Sequence, residues 1–91
     1  MEDELINAVS TNDLNRVREL IEAGADIEQR DEDGNTIFTN AILDNNLEMV
    51  KLLIKLGADI HKSDYDGFTP LMNAMVVDNP EIPKLLIDLG A

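Results

Sequence analysis

The side chains equipped for chemistry in this chain are its carboxylates, one histidine and two serines. Five carboxylates fall within one short stretch: Asp26, Glu28, Asp31, Glu32 and Asp33. Three more recur in the next such stretch, as Asp59, Asp64 and Asp66. Oxygen-rich clusters of this kind suit a hard cation. Their spacing does not match a calcium loop, which needs a helix on each side and a glutamate at its last position. Two carboxylates ~7 Å apart in water repel by only roughly 0.6 kcal/mol, so solvated charges account for them. His61 is the lone histidine, and neither Ser10 nor Ser63 belongs to a recognisable nucleophile–base pair. There is no glycine-rich phosphate loop and no nucleophile elbow. The reading is of a non-enzyme, with no catalytic residue, metal or cofactor.

The charge balance narrows the partners. Nineteen acids stand against seven bases, for a net charge of −12. Affinity for a phosphate backbone comes from Lys and Arg releasing counterions, so direct nucleic-acid binding is disfavoured. An anionic membrane surface is disfavoured for the same reason, and no apolar run of about 18 residues spans a bilayer. Cysteine is absent, so no disulfide or thiolate metal site exists. The acidic start, Glu2-Asp3-Glu4, is unlike a basic signal peptide. A cytoplasmic or nuclear protein is expected.

These charges lie in stretches that repeat. Asp64-Tyr65-Asp66-Gly67-Phe68-Thr69-Pro70-Leu71-Met72-Asn73-Ala74 echoes Asp31-Glu32-Asp33-Gly34-Asn35-Thr36-Ile37-Phe38-Thr39-Asn40-Ala41, 33 residues earlier. Asp-Gly asks for a tight turn. Thr69 suits a helix N-cap, and Pro70 suits the first helical position, where a missing N–H costs nothing. Gly24, Gly57 and Gly90 share the period, each preceded by a Leu-Ile pair and followed by alanine. Such a fixed period marks a repeat protein.

The apolar spacing predicts helices over about 2–10, 14–22, 37–44, 47–56, 70–77 and from Pro80 to about 89. Asp13 is expected to cap the second helix, and Gly24 to end it in a left-handed cap. Asn12, Asn45 and Asp78 stand at turns where left-handed backbone is expected. Residues 25–35 are read as an extended hairpin. Pro83 stands where the other units have Val17 and Val50, and it removes an early helical hydrogen bond. A shifted or loosened first turn is predicted there.

The 33-residue unit resembles the ankyrin repeat. Its T-P-L-H-x-A hallmark is similar to Thr69-Pro70-Leu71-Met72-Asn73-Ala74 and, more loosely, to Thr36-Ile37-Phe38-Thr39-Asn40-Ala41. The Leu20–Ile27 and Leu53–Ile60 endings also match the family. The resemblance implies an all-α solenoid of stacked antiparallel helix pairs joined by projecting β-hairpin loops. It implies one domain over 1–91, with units of about 1–30, 31–63 and 64–91. The family histidine is replaced by Ile6, Thr39 and Met72, which implies loss of the inter-unit network that histidine supports.

The resemblance also implies a partner-binding face made of hairpin tips and first helices. Carried over residue by residue, that face comprises Arg30, Glu32, Asp33, Asn35, Leu43, Asp44, Ser63, Tyr65, Asp66, Phe68, Val76 and Val77. Tyr65 and Phe68 flank a turn, where aromatics have little structural reason to be. They are either anchors for a partner or local packing on the hairpin base. The expected partner is a protein or peptide with a basic or mixed surface. Two alternatives are an acidic decoy that occupies a nucleic-acid-binding site on another protein, and a truncated or engineered scaffold with no function of its own.

The ends differ. Arg16, Glu19 and Ala23 are polar or small where the later units have Met49/Ile82, Leu52/Leu85 and Leu56/Leu89. The first unit is therefore expected to be an N-terminal cap. Leu71, Met75, Leu86 and Ile87 stay apolar, and the series Thr11/Asp44/Val77 turns apolar. An uncapped C-terminal face, open to self-association or to a partner, is expected there.

Overall fold

A computed structural model of the protein describes residues 2–91, with side chains described from Glu4 onward. Six helices follow one another: α1 Glu2–Ser10, α2 Leu14–Glu22, α3 Ile37–Leu43, α4 Leu47–Lys55, α5 Pro70–Val76 and α6 Glu81–Asp88. They pack as α1 on α2, α3 on α4 and α5 on α6. Successive pairs meet through two rows, α1–α3–α5 and α2–α4–α6. The expected helices agree with these to within a residue at most ends.

Local chemistry explains the boundaries. Asp13 accepts from Arg16 N at 3.1 Å. Thr36 and Thr69 accept from Thr39 N and Met72 N, so α3 and α5 start where their caps stand. The second helices all end alike. Gly24 N bonds Ile21 O at 3.0 Å and Ala25 N bonds Leu20 O at 3.0 Å; Gly57–Ala58 and Gly90–Ala91 repeat both bonds. This is a Schellman closure, which needs a left-handed residue at its centre, and the three glycines have φ of +108°, +102° and +96°. The first two inter-helix turns close the same way on Asn12 (φ 58°) and Asn45 (φ 59°).

The third turn departs from expectation. Asp78 is not left-handed, and Asn79 N bonds Val77 O at 2.9 Å rather than a carbonyl of α5. Unit three differs at Pro83, which replaces the valine whose N–H closes the first turn of the second helix in the other units. In the earlier units Val17 N bonds Asp13 O and Val50 N bonds Asn46 O, at 3.0 and 2.9 Å. Pro83 has no N–H to give and its ring crowds that carbonyl. Asn79 O accepts instead a 3.4 Å bond from Ile82 N. Helix α6 then begins at Glu81, one residue later than its counterparts. The loosened first turn is as predicted; the upstream change of turn type is not.

The long loops between units contain tight turns but little pairing, so the expected extended hairpin over 25–35 is reduced to its turn. Among the described residues the one β-bridge joins Arg30 and Thr36, and no strand forms. The arms are too short for a ladder, and their N–H groups go to aspartate side chains instead.

The core runs through all three pairs, from Leu5 and Val17 through Phe38, Met49 and Leu53 to Ile82 and Leu86, each essentially fully buried. Position 39, where the family histidine is missing, is filled by a fully buried threonine whose hydroxyl lies 3.2 Å from that of Thr36. Polar coupling between units sits in the loops. Asp59 N donates to Glu28 Oε2 at 2.8 Å, Lys62 Nζ to Glu28 O at 3.1 Å, and Arg30 Nη2 to Ser63 O at 2.9 Å.

Candidate partner-binding surface

Each long loop is locked by one aspartate. Asp31 Oδ1 accepts from Asp33 N (2.9 Å) and Asn35 N (3.0 Å), while Oδ2 accepts from Asn40 Nδ2 (2.9 Å). Asp64 repeats this with Asp66 N (3.0 Å), Phe68 N (2.9 Å) and Asn73 Nδ2 (3.4 Å). The turn is thereby tied to the second turn of the following helix. The Phe68 N–H foremost holds the Asp64 carboxyl below its ordinary 3.8, with Asn73, the Asp66 N–H and Arg30 adding and desolvation opposing.

The two loops then touch each other. The Arg30 guanidinium donates to Gly34 O (2.6 Å) and Ser63 O (2.9 Å) and lies 4.7 Å from the centroid of the Tyr65 ring. Tyr65 covers the backbone of Gly34, where a Cβ would run into the ring. Gly34 also has φ +84°, so both the turn and the ring require glycine there. Tyr65 thus packs on the preceding loop and not on its own base, and it still exposes 73% of its surface.

The residues expected to meet a partner fall into two groups. Arg30, Glu32, Asp33, Asn35, Ser63, Tyr65, Asp66 and Phe68 lie in the loops before α3 and α5. Arg30, Asn35 and Ser63 are half-buried and engaged in loop bonds, whereas Glu32, Asp33 and Asp66 are exposed. Leu43, Asp44, Val76 and Val77 lie at the far ends of α3 and α5. Val77 is half-buried and Val76 is 79% exposed. A seven-residue helix separates the groups by about 10 Å along its axis.

Sequence reading missed the Asp31–Asn40 and Asp64–Asn73 locks. Their signal was an aspartate and an asparagine nine residues apart, recurring after 33 residues. It also missed the Arg30–Tyr65 stack, for which no local signal exists. His61 is exposed, and its backbone N–H donates to Asp59 Oδ1 at 2.8 Å. Among the described residues no group of three His, Cys, Asp or Glu is arranged to hold a metal. Among the described residues no helix is long and apolar enough to cross a membrane.

Paired helices closed by the same caps at the same register define a helical repeat protein of the kind that recognises other proteins through an extended surface. The chain belongs to the ankyrin repeat family: the family model for ankyrin repeats, in three copies, matches residues 5–91. Comparison with curated proteins gave no match. Ankyrin repeats are in general protein–protein interaction modules.

Proposed function

We propose that this chain is a non-enzymatic binding module, a single domain over 1–91 with units of about 1–30, 31–63 and 64–91. It takes a protein or peptide with a basic or mixed surface along the loops and first helices. One observation carries this reading: Tyr65 and Phe68 are exposed, at 73% and 48%, on a loop whose backbone is already fixed by Asp64. A fixed aromatic loses little freedom on binding, and exposed aromatics are the usual anchors of interfaces. Leu43 and Val76 extend the apolar surface, and Glu32, Asp33, Asp44 and Asp66 give it an acidic rim. The row of first helices is packed more closely than the row of second helices, which favours a face concave on the first-helix side.

The decoy alternative is less well supported. Asp26, Asp31, Asp59 and Asp64 each turn an oxygen onto a backbone N–H of their own loop. Those carboxylates are not free to imitate a row of phosphates.

The test is capture from lysate with the native chain and with Tyr65→Ala/Phe68→Ala. Proteins retained by the native chain should bind the variant about tenfold or more weakly, with helical circular dichroism unchanged. Equal retention would remove the two aromatics from the site.

A further inference from the structure

Positive charge is arranged differently from negative charge in this molecule. Of the seven bases, Arg16 pairs with Glu4 at 3.0 Å, Lys62 with Glu28, and Arg30 meets two loop carbonyls and Tyr65, while Arg18 donates only to the neutral Asn15 Oδ1 at 3.3 Å. Arg18, Lys51, Lys55 and Lys84 form no ion pair among the described residues. All four line two adjoining grooves on the row of second helices.

Arg18, Lys51 and Lys84 stand 33 residues apart. Theirs is the one second-helix position at which all three units carry charge of the same sign. The flanking positions Asn15/Glu48/Glu81 and Glu22/Lys55/Asp88 are mixed. Between α2 and α4 the groove has Leu14 and Leu52 with Arg18, Lys51, Lys55 and a single acid, Glu48. Between α4 and α6 the bases Lys51 and Lys84 are balanced by Glu81 and Asp88. The first groove is therefore locally positive in a chain of net charge −12. At physiological salt, charges beyond about 8 Å are largely screened, so the local balance decides what docks. Its volume of about 210 Å³ is below that of ordinary small-molecule sites and suits one or two side chains.

We propose that the groove between α2 and α4 is a second docking surface, separate from the loops, for an acidic peptide segment. Carboxylates of the segment pair with Arg18, Lys51 and Lys55, and an apolar side chain rests on Leu14 and Leu52. Charge complementarity and the apolar floor select this occupant. A nucleic-acid strand or an anionic bilayer needs a longer positive field, which Glu81 and Asp88 interrupt.

The test is fluorescence anisotropy of the full chain against a short labelled peptide of alternating Glu and Leu. Arg18→Gln, Lys51→Gln and Lys55→Gln should each weaken binding about fivefold, the value of one exposed charge pair near 4 Å. Lys84→Gln should change it by less than about twofold, since its groove is already neutral. A Glu–Ser peptide should bind more weakly than the Glu–Leu peptide. Tyr65→Ala/Phe68→Ala should bind it as the native chain does, which separates this surface from the loop surface. The proposal is overturned by absence of binding, by equal losses at Lys51 and Lys84, or by tighter binding to a thymidine oligonucleotide or to phosphatidylserine vesicles than to the peptide.

Discussion

Asp64 sets the conformation of its loop as a carboxylate. It accepts two backbone N–H groups and one amide N–H, a load that a protonated carboxyl carries less well. Its pKa is lowered in the folded chain, chiefly by the Phe68 N–H. The unfolded chain therefore takes up the proton first as pH falls, and folding loses this contribution as pH drops below 3.8 through the folded value. Above that window the contribution is complete. Urea midpoints of the native chain and of Asp64→Asn should differ at neutral pH, with the native chain more stable. The difference should shrink as the solution is taken from pH 4 towards strong acid. A gap that is constant with pH would show that charge on Asp64 does not stabilise the loop.

Helix α6 shows how one residue propagates through an element. Units one and two share a left-handed asparagine, an Asp or Asn before the helix, and a valine N–H bonded back to it. Pro83 deletes the last of these, and the turn before it is rebuilt. Pro83→Val should restore a bond from residue 83 to Asn79 O and return Asp78 to positive φ. A hydrogen bond is worth about 1 kcal/mol, but losing a proline loosens the unfolded chain by about 0.4–1 kcal/mol. Net stability should therefore move little. Amide exchange is the better readout: protection should rise across residues 79–84 in the variant. Unchanged exchange there would mean that Pro83 does not cause the altered turn.

The two ends of the molecule are unlike. Arg16, Glu19 and Ala23 are exposed at one end, whereas Met49 and Ile82, at the position of Arg16, are fully buried. At the other end Met75 is 69% exposed, although Ile42, its counterpart one unit earlier, is fully buried. Ile87 is exposed there as well, and Leu71 is half-buried; Leu86, expected on this face, is fully buried in the core. Where this face is left uncovered, an apolar end fits another apolar end better than it fits Arg16 and Glu19, so a chain of residues 1–91 should dock a second copy end to end about a two-fold axis. Sedimentation should show a dimer that grows with concentration, and Met75→Glu with Ile87→Lys should leave a monomer. A native chain that stays monomeric at millimolar concentration would refute this pairing.

The period, the helix limits and the caps were legible without coordinates, because they follow from short-range backbone energetics. Glycine and asparagine at left-handed positions, threonine at N-caps and proline at the first turn act within a few residues of themselves. The same rules fell short at Asp78, which is not left-handed although Asn12 and Asn45 are. What only the tertiary structure decided involves residues from different units. Arg30 reaches Tyr65 and Ser63, and Glu28 reaches Asp59 and Lys62, because stacking the helix pairs brings their loops side by side. The same stacking sets Arg18 beside Lys51 and Lys55 along one groove. Distance along the chain conceals such meetings, since each depends on how whole helices pack and on no local preference.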